Sequence, residues 1–159
     1  MKICFIDKTK FSYSFNDINS EILRGAESII INLSKEISNL GHEVVVFNNC
    51  ENEYKSKNYS WLNLSKAKDN SYNFDIIISN NNTQLLNYFN CSKKYVISHS
   101  LQTLEKFIRK RQLFSYLKNR PIYLLLGKYH KIKMSKITSM FGTTIIKYGI
   151  DDIFTNTKL

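Results

Sequence analysis

The sequence predicts an α/β fold with a mostly parallel sheet, and three observations predict it. Short, nearly all-apolar runs recur at Lys2–Asp7 (KICFID), Glu43–Phe47, Phe74–Asn80 (FDIIISN) and Lys94–His99. Runs of this length without polar alternation fit strands covered on both faces, as in a parallel sheet between helices. Between the first two runs, Ala26, Ile29, Ile30, Leu33, Ile37 and Leu40 repeat every three or four residues, while Glu27, Lys35, Glu36 and Asn39 fall opposite, which describes one apolar helix face. Gly41 follows the last periodic residue, where a left-handed cap suits glycine. Strand, helix and strand in this order make a βαβ unit with a right-handed crossover. Extended along the chain, the pattern is a single Rossmann-like domain of about six parallel strands flanked by helices.

Taken in order, the first strand is followed by a long connection, Lys8–Arg24, rich in aromatic and polar residues. Loops of that length in a compact domain are usually functional or mobile, and this one leaves the carboxyl end of a strand, where open α/β sheets bind ligands. It delivers Gly25 to a helix N-terminus, whose free N–H groups favour an anion. Asn48–Asn73 is polar, with a weak edge strand around Trp61, Leu62 and Leu64 and a turn or short helix at Lys66–Ser71. The Phe74–Asn80 strand closes on the Asn80–Asn82 cluster, Thr83–Asn90 forms a short helix, and the next strand ends at His99 on the same rim as Asp7 and Gly25. Leu101–Asn119 reads as one helix, with Leu101, Leu104, Phe107, Ile108, Leu113 and Phe114 or Leu117 inward and Pro121 marking its end. A strand at Ile122–Leu126, a basic helix or irregular segment at Gly127–Met140 and a last short strand at Thr143–Lys147 complete the chain.

Bulk properties narrow the classes. Hydrophobic content of 43% and charged content of 23% belong to a globular protein, and 159 residues suit one domain. No apolar run is long enough to cross a membrane or act as a signal peptide, so the expected location is the cytoplasm. Cys4, Cys50 and Cys91 are odd in number and widely spaced, which suggests neither a disulfide framework nor a zinc site. No cofactor or metal is expected: with five glycines in the chain, the GxGxxG and GxxxxGK[ST] phosphate-binding patterns are absent. Charge is strongly one-sided. Residues 1–100 carry 11 Lys and Arg against 10 Asp and Glu, and residues 101–159 carry 12 against 3. The basicity centres on residues 101–136, with Arg109, Lys110, Arg111 and Lys118 as its core, and points to an anionic partner there. Nucleic acid is disfavoured, since no recognised binding pattern appears and the aromatics form no stacking platform.

Two stretches carry a family resemblance. The N-terminal strand followed by Arg24, Gly25, Ala26 and Glu27 opening a helix, and then the LGHEV corner at Leu40–Val44, resembles the N-terminal domain of GT-B glycosyltransferases of group 1 (family 4). Arg24 stands where that family usually has the first of two glycines. Near the other end, Gly149, Ile150, Asp151 and Phe154 are similar to the family's N-G-[VI]-D segment with its following Phe, Tyr148 replacing the Asn. The resemblance implies a Rossmann-like acceptor-side domain at 1–148 and the start of an interdomain hinge at 149–159, marked by Gly149 and Asp151. The second domain, which in the family holds the nucleotide-sugar donor and its paired glutamates, is expected outside these residues. The resemblance also implies metal-independent transfer of a sugar to a glycan or lipid-linked acceptor, as in cell-envelope glycan synthesis. Gly25 would approach donor phosphate or sugar, and Arg24, Ala26, Glu27 and Asn80 would help bind substrate or donor. His99 would face the reaction centre. His42 then belongs to the helix-to-strand corner, and His130 carries no signal. The competing expectation is a non-catalytic Rossmann-like module that binds a polyanion or an acidic membrane through residues 101–136, at the cytoplasmic face.

Overall fold

A computed structural model describes residues 1–20, 23–69 and 71–147. Its centre is an eight-stranded sheet: β1 (Lys2–Ile6), β2 (Glu43–Asn48), β3 (Tyr54–Lys55), β4 (Tyr59–Asn63), β5 (Ile76–Asn80), β6 (Lys93–Ser98), β7 (Ile122–Leu125) and β8 (Thr143–Ile145). The spatial order is β3-β4-β2-β1-β5-β6-β7-β8, and every neighbouring pair is parallel except β3 with β4. The α/β reading and the parallel arrangement of the four strongest strands therefore hold. Eight strands stand where about six are expected. The difference lies in the polar 49–63 region, where β4 is an interior strand pairing with β2 over Val44–Asn48, and two-residue β3 covers its outer edge. A strand this short has no periodicity to read.

Strand side chains alternate between two cores, as the pleat requires. Ile3 and Phe5 face a cluster with Val44, Val46, Trp61 and Ile30, whereas Cys4 and Ile6 face a second with Val45, Phe47, Ile77 and Leu86. Helix α1 (Gly25–Asn39) covers the first. Its buried stripe is Glu27, Ile30, Ile31 and Ser34, with Ile29, Leu33 and Ile37 half-buried beside it. Burying Ile30 and Ile31 fully contributes about 1.5–3 kcal/mol each. Two expectations are corrected. Glu27 lies on the inward stripe, because residues 27, 30, 31 and 34 share a face at 100° per residue, and Leu40 is 76% exposed, because the chain turns away at Gly41 with φ +86°.

The basic third departs further from its pattern. Leu101–Asn119 is two short helices, α2 (Leu104–Arg109) and α3 (Leu113–Asn119), separated by Arg111 at φ +53° and buried Gln112. The break shifts the helical phase. Phe107 and Tyr116 point into the second core, whereas Leu101, Ile108, Phe114 and Leu117, expected inward, are exposed, Phe114 by 77%. The Gly127–Met140 segment supplies a short helix, α4 (Lys128–Lys133), followed by turns. Among the described residues no helix is long and apolar enough to cross a membrane.

Candidate binding cleft at the carboxyl rim

Connections leave β1 and β5 toward opposite sides of the sheet, which opens a crevice beyond their carboxyl ends, the usual ligand position in open α/β sheets. Its floor begins at Asp7, one residue past β1 and 4% exposed. The Tyr13 hydroxyl donates to Asp7 Oδ2 at 2.8 Å, the Thr9 hydroxyl donates to the same oxygen, and Asn80 Nδ2, at the end of β5, donates to Oδ1 at 3.1 Å. Burial, with the neighbouring Asp7 charge, pushes the Tyr13 hydroxyl well above its usual pKa, so it stays a donor. Tyr13 is fixed in turn, because its carbonyl accepts from Asn48 Nδ2 at 2.7 Å and Asn48 Oδ1 accepts from Trp61 Nε1 at 2.7 Å. The long loop is thereby tied to β2 and β4.

Glu27, in the first turn of α1, forms the second part of the floor. A carboxylate there is favoured by the helix dipole, but it is 4% exposed and poorly supplied with donors. Thr9 Oγ1 lies 3.3 Å and Arg24 Nε 3.9 Å from Oε1, and Oε2 has no hydrogen-bond partner. A threonine hydroxyl has one proton, and the shorter contact to Asp7 takes it. Glu27 is thus a buried carboxylate with its hydrogen-bonding capacity largely unused, which is costly unless donors are supplied. Asn80 Oδ1, also buried, is likewise without a partner.

One wall is the turn after β5. Asn81 adopts φ +52°, a conformation asparagine tolerates. Its N–H donates to Ile97 O at 2.9 Å and its Oδ1 accepts the His99 N–H at 2.9 Å. Gln84 Nε2 donates to Arg111 O at 3.1 Å, and Thr83 Oγ1 donates to Gln112 O at 3.0 Å. These bonds dock the α2–α3 connection against the turn and bring Lys110 to the rim. The cleft encloses about 580 Å³, with Lys8, Lys10, Arg24 and Lys110 as its cations. Ala26 is the one apolar residue of its lining.

The structure gathers Arg24, Ala26, Glu27, Asn80 and Lys110 around this cleft. Gly25 lies between two lining residues without lining the cleft itself, and a Cβ there would meet nothing within 4 Å. His99 stands beside the cleft: its backbone is anchored by Asn81, and its buried Nε2 has no partner. Burial, offset in part by Asp7 and reinforced by His130, lowers its pKa from the ordinary value. His130 is itself buried, with Nε2 2.9 Å from Ser100 O. Arg109, 3.9 Å from Glu105, and Lys118 lie away from the cleft on exposed positions of α2 and α3. Arg111 contributes its carbonyl to the wall. Gly149 and Asp151 lie outside the described residues. Among those described, no three His, Cys, Asp or Glu side chains come together as a metal would require.

Sequence reasoning missed Asp7, Thr9, Tyr13 and Gln112 as site residues. For Asp7 the signal was available, since an acidic residue directly closing an apolar strand sits at the ligand-binding edge of a parallel sheet. Gln112 gave none, because its burial follows from a helix break that no glycine or proline marks. No family model matches this chain, and no curated protein matches it either.

Proposed function

We propose that the chain is the acceptor-side part of a GT-B glycosyltransferase of the group 1 kind, acting on a glycan or lipid-linked acceptor with a nucleotide sugar as donor. The supporting observation is the cleft at the β1/β5 crevice, lined by carboxylates, amides and cations with Ala26 as its single apolar residue. Such a lining suits a polar, hydroxyl-rich ligand. It offers no aromatic face for a nucleobase, which agrees with a donor nucleotide held by a second domain. In this reading Glu27 and Asn80 orient acceptor hydroxyls, Asp7 holds Asn80 in place, the rim cations meet negative charge, and His99 faces the reacting groups from beside the cleft. Most of the rate would come from positioning and preorganised charge. Calorimetric titration of residues 1–159 with nucleotide sugars tests the division of labour. Weak or undetectable binding, and no release of nucleoside diphosphate, are expected; micromolar affinity for a nucleotide sugar would place the donor site here and overturn it.

One observation favours a second reading, attachment to an acidic membrane through residues 101–136, at the cytoplasmic face. Ile108, Phe114, Tyr129 and Ile132 are each more than half exposed, next to Arg109, Lys110, Lys118 and Lys131. Apolar side chains among cations fit the boundary of an anionic bilayer. The two readings are compatible, since a lipid-linked acceptor is met at such a surface.

A further inference from the structure

The donor and acceptor inventory of the cleft defines a ligand more narrowly than its position does. At the floor, the buried atoms left without any partner are both acceptors: Glu27 Oε2 and Asn80 Oδ1 have none, and both residues are more than nine-tenths buried and line the cleft. Asp7 already accepts from three internal donors, Tyr13, Thr9 and Asn80. The free Glu27 and Asn80 oxygens are both covered by neighbours, but the terminal torsions of these side chains are soft, so a small rotation presents them to a ligand. A group entering here must donate hydrogen bonds, and an anion would be repelled by two carboxylates. At the rim the sign reverses. Lys8, Lys10, Arg24 and Lys110 are all exposed, and of these four Arg24 alone has a carboxylate of the described residues within ion-pair distance, Glu27 at 3.9 Å.

We infer that the cleft binds a glycosyl phosphate, with sugar hydroxyls on Glu27 and Asn80 and the phosphate among Lys8, Lys10, Arg24 and Lys110. Four cations exceed what a single carboxylate ligand would need, and about 580 Å³ accommodates a hexose with its phosphate. Ala26 is the one aliphatic side chain of the lining, too small to seat an alkyl chain, so such a chain stays outside and the phosphate can be a free monoester or the diester of a lipid. This assignment names the acceptor class and rests on the acceptor-side reading of the cleft.

Calorimetry with residues 1–159 tests it, using the 1-phosphates of glucose, galactose, mannose and N-acetylglucosamine, the four parent sugars, and inorganic phosphate. At least one sugar phosphate should bind about tenfold more tightly than both its parent sugar and inorganic phosphate. Glu27→Gln should weaken that sugar phosphate about tenfold without weakening inorganic phosphate, and Lys110→Gln should weaken both, more at low salt than at high. Should Glu27→Gln fail to fold, NMR of the wild type decides: sugar phosphate must shift the Glu27 carboxyl and Asn80 amide signals, and inorganic phosphate only rim signals. The inference is overturned if no sugar phosphate binds, if inorganic phosphate binds as tightly as all four, or if the Glu27 and Asn80 signals stay still. A dodecyl phosphodiester of the best sugar separates the two sources, tighter binding indicating a lipid-linked ligand and weaker binding a free one. Displacement of the sugar phosphate by a nucleotide sugar would sink the acceptor-side reading and leave the ligand class standing.

Discussion

Asp7 is a buried carboxylate made tolerable by three donors, Tyr13, Thr9 and Asn80, drawn from the loop after β1 and from the end of β5. Replacing it by alanine strands those donors, and Asp7→Ala should lower stability by about 3 kcal/mol in urea unfolding, with Asp7→Asn losing less because an amide oxygen still accepts. His99 makes a different prediction. Burial lowers its folded pKa below the unfolded value of about 6.5, so the native state prefers the neutral ring. The unfolded chain then binds more protons in that window, and the contribution of His99 is complete above the unfolded pKa and lost as pH falls below it. His99→Asn should flatten the decline of unfolding free energy below about pH 7; an unchanged slope would mean that the imidazole titrates alike in both states. The position of His99 was legible, because strand length and sheet polarity place a strand's last residue on the ligand rim. Its burial was not, since that depends on Asn81 and on elements that come later in the chain.

Among elements, the strands were more legible than the helices, for a physical reason. A strand in a parallel sheet is apolar on both faces, and Phe74–Asn80 and Lys94–His99 therefore announce themselves with little dependence on exact phase. A helix needs its phase, and one turn of broken backbone rotates every later side chain. The three residues Lys110, Arg111 and Gln112 do this between α2 and α3, so Phe114, seven residues after Phe107 and spaced to share its buried face, ends up facing out while Tyr116 turns inward. Arg111 occupies a left-handed conformation after α2, with its N–H donating to Ile108 O at 2.9 Å. Arg111→Gly relieves the steric penalty of that backbone and, at this exposed position, should raise stability by roughly 0.5–1 kcal/mol in thermal or urea unfolding. A loss of that size would show instead that the Arg111 side chain makes a stabilising contact.

At the scale of the whole molecule, the charge asymmetry between the halves becomes a division of surfaces. The sheet order places β6, β7 and β8 on one side of β1, and α2, α3 and the residue just after α4 pack Phe107, Tyr116 and Met134 into the second core over that side. Their outward positions carry the exposed apolar residues and most of the cations of residues 101–136. Each Lys or Arg near an acidic leaflet contributes about 1 kcal/mol, screened within roughly 10 Å at moderate salt. Replacing Arg109, Arg111 and Lys118 by Gln should leave folding nearly intact and sharply reduce sedimentation with vesicles containing acidic lipid at low salt. Wild-type protein that ignores acidic vesicles, or binds acidic and neutral ones alike, would make this an ordinary solvated face. The charge asymmetry could be read from composition alone, whereas the exposed Ile108 and Phe114 that accompany it depend on the helix break.

The anchoring of the loop after β1 has a kinetic consequence. Tyr13 is held by Asp7 and Asn48, the Thr9 carbonyl accepts from Asn49, the Ser14 N–H donates to Asp17 at 2.6 Å, and Ser12 accepts the Glu51 N–H at 3.2 Å. Ordering this segment is therefore completed during folding and is not deferred to the moment of ligand capture. Association at the cleft should then be a single fast step, with an observed rate that rises linearly with ligand concentration in stopped-flow mixing and does not level off at the rate of a loop closing.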